Sequence, residues 1–190
     1  MITKFELFES MSNIDNTKIY YCGNVNEQLF ISLLVDDVVI GGLYCGKPPT
    51  GEDHLAVMKV GILKEYRGKG KGYGSLLYLT ALSLSKNGIS PHRRKDSSEQ
   101  DSQNVWLRLN EKSYIKRIDL KIKLYDDKPF LDSKYILTDD NIRKNILNKT
   151  MKLSNNVDDN NKINKDAWNI VNKLMDDIFM KKKNKNDNKI

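Results

Sequence analysis

Two runs of β-branched and apolar residues, Leu29 to Val35 and Val38 to Tyr44, flank Asp36-Asp37, a pattern that predicts a β-hairpin with a two-residue turn. Upstream, Phe5 to Phe8 and Lys18 to Cys22 read as short strands, and downstream the proline- and glycine-bearing stretch Gly46 to Asp53 reads as a loop. Leu55 to Leu63 is mostly apolar without clear alternation, the signature of a strand buried on both faces near the centre of a sheet. Ser75 to Lys86 carries Leu76, Leu77, Leu79, Ala81, Leu82 and Leu84, apolar nearly all round, which predicts a buried helix ended by Asn87-Gly88. Ile89 to Asp96 then reads as a basic connection, and Ser97-Ser98-Glu99-Gln100 as a capping box opening a helix that runs to about Tyr114. On that helix Ser102, Val105, Trp106 and Leu109 share one face, with Trp106 as a core anchor. Ile118, Leu120, Ile122 and Leu124 alternate with Asp119, Lys121 and Lys123 as in a half-buried strand. Finally, Ala167, Ile170, Val171, Leu174 and Ile178 give Asn164 to Met180 the pattern of an amphipathic helix, expected to pack on its own domain in preference to another subunit.

Length changes the picture little: 190 residues suit one domain with a real core. The polar excess is more telling, because much of it lies after residue 139 in Asn- and Lys-rich runs, Asn141 to Lys149, Asn155 to Lys165 and Lys181 to Lys189. That composition predicts loose packing and a disordered tail. The expected division is a domain over 1–137, a helical extension over 138–180 and a basic tail over 181–190. The net charge of +7 is also uneven, since residues 59–95 hold nine Lys or Arg against Glu65 alone, and residues 181–190 hold five Lys against Asp187. A basic field centred on glycines suits a small polyphosphate at least as well as a nucleic acid, and a direct nucleic-acid role ranks well behind. Cys22 and Cys45 are too few and too scattered for a disulfide framework or a zinc site, so no metal is expected. No stretch approaches the length of a membrane span and Met1 to Ser10 is no apolar leader, so the expected location is the cytoplasm.

Gly68, Gly70, Gly72 and Gly74 fall within seven residues between the strand and the leucine-rich helix, where glycine lets main chain approach a ligand closely. Two familiar phosphate loops fail against this chain. Gly41 to Lys47 begins like a P-loop, but Pro48 stands where a Ser or Thr is required, and the dinucleotide fingerprint meets Tyr73 or Ser75 where its third glycine belongs. Tyr66-Arg67-Gly68-Lys69-Gly70-Lys71-Gly72, preceded by Val60-Gly61-Ile62, instead resembles motif A of the GNAT acyltransferases, R/Q-x-x-G-x-G/A, with Arg67, Gly70 and Gly72 in the fixed places. A second frame, Lys69, Gly72 and Gly74, shifts the loop by two residues. Ser98, Ser102, Val105, Trp106 and Leu109 look like the corresponding helix of family members carried by bacteriophages.

The resemblance, covering about residues 1–125, implies an α/β fold with a mixed, mostly antiparallel central sheet flanked by helices, to which the chain adds its helical C-terminal extension. It implies acetyl-coenzyme A as cofactor, with the main chain of Val60, Gly61 and Ile62 along the pantetheine arm and Arg67, Gly68, Lys69, Gly70, Lys71 and Gly72 around the pyrophosphate. The region before the hairpin is too short for the two helices the family commonly has there. Where many members carry a catalytic carboxylate this chain has Met58 and Lys59, and where many carry a proton-donating tyrosine it has Trp106. His54, a residue type whose ordinary pKa lies nearest neutrality among the groups just upstream, and Tyr114 are the substitute candidates for base and acid. Transfer of an acetyl group to a primary amine of a protein or small molecule is the first expectation. A catalytically weak or inactive binding protein, assembling through helix 164–180 as a homodimer or with another partner, is the second.

Overall fold

The hairpin around Asp36-Asp37 organises the sheet in a computed structural model that describes residues 16–48, 50–67, 71–92, 100–121, 129–157 and 161–173. Strands β2 (Gln28–Val35) and β3 (Val38–Gly46) pair antiparallel, and both turn aspartates take positive φ, 50° at Asp36 and 63° at Asp37. Such a turn matches the twist of the strands it joins. Asn16 and Lys18 donate to the Asp36 and Asp37 carboxylates at 2.7 and 2.5 Å, which supports this conformation. Strand β1 (Thr17–Asn24) lies antiparallel to β2 and is joined to it by a turn of three residues, 25–27, leaving no room for helices between them. Phe5 to Phe8 lie outside the described residues.

Strand β4 (Leu55–Ile62) follows β3, and the sheet is completed by β5 (Ile89–Pro91), β6 (Ile115–Asp119), β7 (Ser133–Leu137) and β8 (Thr150–Ser154) in the order β6-β7-β5-β4-β3-β2-β1-β8. Only β4 with β5 and β1 with β8 run parallel among the described strands. Among the described residues four helices flank the sheet: α1 (Tyr73–Leu84), α2 (Gln100–Asn110), α3 (Asp140–Asn148) and α4 (162–173). Leu29, Ile31 and Leu33 of β2 and Leu55 and Val57 of β4 share one core with α1, Trp106 and Ile146. Phe30 and Cys22 point to the other face, where Ala167, Trp168 and Val171 of α4 cover them. The amphipathic helix therefore lies on its own sheet, while Leu174 and Ile178 fall outside the described residues.

Four local expectations are corrected. Ile89 to Pro91 is a strand and not part of a connection, because its three residues continue a sheet whose edge β4 already supplies. The helix ends at Asn110, where tight turns, Lys112 N–H to the Leu109 carbonyl and Ile115 N–H to the Lys112 carbonyl, carry the chain into β6. Strand β6 accordingly begins three residues earlier than the alternation suggests, with Ile115 opposite Leu137. The Asn- and Lys-rich run after residue 139 is ordered as α3. Asp139 caps it by accepting from the N–H groups of Asn141 and Ile142, and Arg143 donates to the carbonyls of Leu82, Ser83 and Leu137 at 3.3, 2.8 and 2.7 Å. Composition hides this helix, because two apolar residues, Ile142 and Ile146, suffice to seat it and its charge satisfies the last carbonyls of α1.

Candidate functional site

Strand β4 carries its irregularity next to the place where it leaves β5. Pairing with β3 skips Met58, going from Tyr44 opposite Lys59 to Cys45 opposite Val57, and a bulge of this kind sharpens the local twist. Pairing with β5 ends at Val57 opposite Pro91, whose ring nitrogen has no proton to donate. Strand β4 runs on for five residues from Met58 to Ile62 with no strand partner on this side among the described residues, and this open side is the candidate cleft. The Leu63 N–H bonds to the Ile40 carbonyl at 2.8 Å, which fixes the alternation. Gly61 and Lys59 turn their main chain towards β3, and Val60 and Ile62 turn theirs to the cleft.

The chain then makes one turn of 3₁₀ helix, Lys64–Tyr66, and re-enters helical geometry at Gly72, the N-cap of α1. Gly72 has φ 69° and ψ −7°, left-handed values that a side chain resists, and no side chain caps the first N–H groups of α1. The first turn contains no acidic residue. An anion at this position meets N–H donors that no side chain caps and the positive end of the helix dipole. Tyr66 and Tyr73 meet edge to face at 6.2 Å and pin the two ends of the loop together. Arg67 Nε donates to the Ile62 carbonyl and Lys71 Nζ to the Glu65 carbonyl, each at 2.6 Å, so both cations brace the loop as well as charge it. Gly68, Lys69 and Gly70 lie outside the described residues.

Gly72 and Gly74 should respond differently to substitution. A Cβ at Gly74 would meet only Ile62 Cδ1 at 3.9 Å, so Gly74→Ala is expected to be neutral or to stabilise by up to about 1 kcal/mol. Gly72→Ala must hold alanine in the left-handed region and is expected to cost about 1–2 kcal/mol. Urea denaturation of the two variants checks the order.

A model of the acetyltransferase (GNAT) family matches residues 4–108, more than half of the chain. The chain belongs to that family. No curated protein and no solved structure gives a significant match. Strand β4, the turn that follows it and the N-terminus of α1 all fall within the matched residues. No helix among the described residues is long and apolar enough to cross a membrane.

The residues singled out for proton transfer are not gathered at this cleft. His54 is no surface residue: it is 2% exposed, one position before β4, with Nε2 3.0 Å from Ser90 Oγ and 3.9 Å from a Glu52 carboxylate oxygen. Ser90 stands opposite Ala56, one step from the mouth of the cleft. Tyr114 is not on α2 but in the turn before β6, at the level of the sheet away from the cleft, and burial pushes its phenol above the ordinary value. Trp106 is a core side chain, edge to face with Tyr78 at 5.0 Å and tilted on Tyr135 at 5.1 Å. Lys59 turns to the face opposite α1, where its Nζ donates to Asn172 Oδ1 at 2.8 Å and lies 5.4 Å from the centre of the Trp168 ring. Sequence reasoning passed over Ser90, Trp168 and Asn172; only the position of Trp168 beside Ala167 on the apolar side of a helix could have drawn notice.

Proposed function

We propose that the protein transfers an acetyl group from acetyl-coenzyme A to a primary amine. The observation that carries this is the coincidence of the β4 bulge, the end of β5 pairing and the uncapped, acid-free N-terminus of α1 along one cleft. Acetyl-coenzyme A supplies a thioester whose acetyl carbon passes to the amine nitrogen, the thiol taking up a proton as the amine gives one away. The main chain of Val60 and the N–H of Ile62 would orient the arm by strand-like hydrogen bonds, the Ile62 carbonyl being held by Arg67. The donors at Gly72 and the start of α1, with Arg67, Lys69 and Lys71, hold the pyrophosphate. Ser90, one step from the mouth of the cleft, leads to the buried His54, whose Nε2 is 3.0 Å from Ser90 Oγ, and this pair is the route assigned to the amine's proton.

Binding is expected to show as a rise in melting temperature, because a ligand held by the folded state alone stabilises it by about 2.7 kcal/mol at a hundred times its dissociation constant. Replacing Gly70 and Gly72 by valine should abolish that rise. An unchanged melting temperature for the wild type in excess acetyl-coenzyme A sinks the proposal. A binding protein without turnover is the second reading, favoured by Lys59 and Trp106 standing where the family often has a carboxylate and a tyrosine. It predicts the thermal shift with no acetylated product from any amine.

A further inference from the structure

We infer that Lys59 and the α4 residues Trp168 and Asn172 form the acceptor side of the cleft, and that the acceptor is a small amine bearing its own anionic group, a carboxylate or a phosphate. The inference rests on the acetyl-transfer reading and names the substrate class of the same site.

The two faces of the sheet divide the work. Helix α1, whose N-terminus receives the phosphates, packs on the face bearing Leu55, Val57, Val60 and Ile62. A reactive group threaded through the cleft from there emerges on the opposite face, where α4 lies. Helix α4 crosses that face from β2 to β4: Asn164 accepts from Ser32 Oγ at 3.2 Å, Trp168 meets Phe30 and Tyr44 edge to face at 5.0 and 5.2 Å, and Asn172 receives Lys59. Because β1 and β2 are joined by a short turn, α4 is the described helix that covers this part of the sheet.

Lys59 is the charged residue where β4 frees itself from β5, and it is half-buried. Among the described residues its neighbours are neutral: an amide oxygen and an indole face. Among the described residues no carboxylate lies within ion-pair distance of it. An ammonium removed from water is ordinarily paired with an anion, and this one retains donors beyond the one given to Asn172. The Trp168 face and the Asn172 amide hold the cation in place without neutralising it, leaving the incoming acceptor to bring the negative charge. A carboxylate or phosphate seated on Lys59 places the attached amine at the mouth of the cleft.

The test begins with calorimetry of acetyl-coenzyme A binding, whose failure counts against the acetyl-transfer reading itself. With binding in hand, kcat/KM is measured for pairs differing only in the anion: β-alanine against its amide, and phosphoethanolamine against ethanolamine. The wild type is expected to prefer the anionic member of at least one pair by about tenfold or more, the scale of one charge-assisted hydrogen bond, and the pair that responds tells carboxylate from phosphate. Lys59→Met keeps the aliphatic stem on Trp168 and should remove the preference while leaving acetyl-coenzyme A affinity unchanged, whereas Lys59→Arg should retain it. Direct titration of the preferred anionic amine into coenzyme A-saturated protein should show the same loss in Lys59→Met. Equal rates within both pairs for the wild type, or a preference that survives in a folded Lys59→Met protein, overturns the inference.

Discussion

Replacing Trp106 with alanine is expected to lower the unfolding free energy by about 3–5 kcal/mol, the usual range for deleting a buried aromatic side chain, read as a shift of the urea midpoint. Trp106 is 1% exposed and joins three elements: its own helix α2, α1 through Tyr78, and β7 through Tyr135. Tyr135 in turn donates its hydroxyl to the Phe130 carbonyl at 2.7 Å, so the ring that Trp106 leans on is itself fixed. Trp106→Phe preserves the aromatic contact with Tyr78 and should cost less than half as much. Trp106→Tyr should not speed acetyl transfer, because the new phenol would point into the Tyr78–Tyr135 cage and not to the cleft. An alanine variant as stable as the wild type would show that α2 is not anchored through this side chain.

The parts of the molecule legible in sequence are those where local signals agree with the fold. The Asp36-Asp37 turn, the apolar β4 and the leucine-rich α1 each announce themselves because periodicity, turn chemistry and burial point the same way. Strands β5 and β7 escape notice for a physical reason: β5 is three residues long, and β7 alternates with serine at a buried position, Ser133, whose hydroxyl is satisfied by Asp119 and the Pro129 carbonyl. Pairing with neighbours distant in sequence makes these segments strands. Strand β8 is of the same kind, taking its place from the free edge of β1. At the proposed site, the glycine spacing points to the phosphate end, and the family resemblance to Val60 and Ile62 for the arm, since both rest on main chain that a local motif can report. The proposed acceptor side depends on side chains 109 to 113 residues apart, Lys59 with Trp168 and Asn172, and no local pattern encodes such a meeting.

Ending the chain at residue 157, and so removing α4, is expected to destabilise the protein by about 3–6 kcal/mol, from the apolar burial of Val171 and Trp168 at roughly 1.5–3 kcal/mol each. Ala167 and Val171 are fully buried in the structure, and their loss bares Phe30 and Cys22, which have 1% and 0% exposure with the helix in place. A domain of this size has only about 5–15 kcal/mol to lose, so the shortened chain should melt far lower and bind a hydrophobic dye. Ending the chain after Met180 removes Lys181 to Ile190, which has no apolar residue before its last position, and should leave the melting temperature and acetyl-coenzyme A binding little changed. Between the two truncations the cofactor response separates scaffold from site. The proposed phosphate end is at the N-terminus of α1, so whatever folded fraction of the shorter chain remains at low temperature should still gain stability from acetyl-coenzyme A. It should also lose the preference for anionic amines, because Lys59 has lost Asn172 and the Trp168 ring. A chain ended at 157 that melts like the full protein would mean that the opposite face needs no cover, and α4 would then have no structural part in the fold.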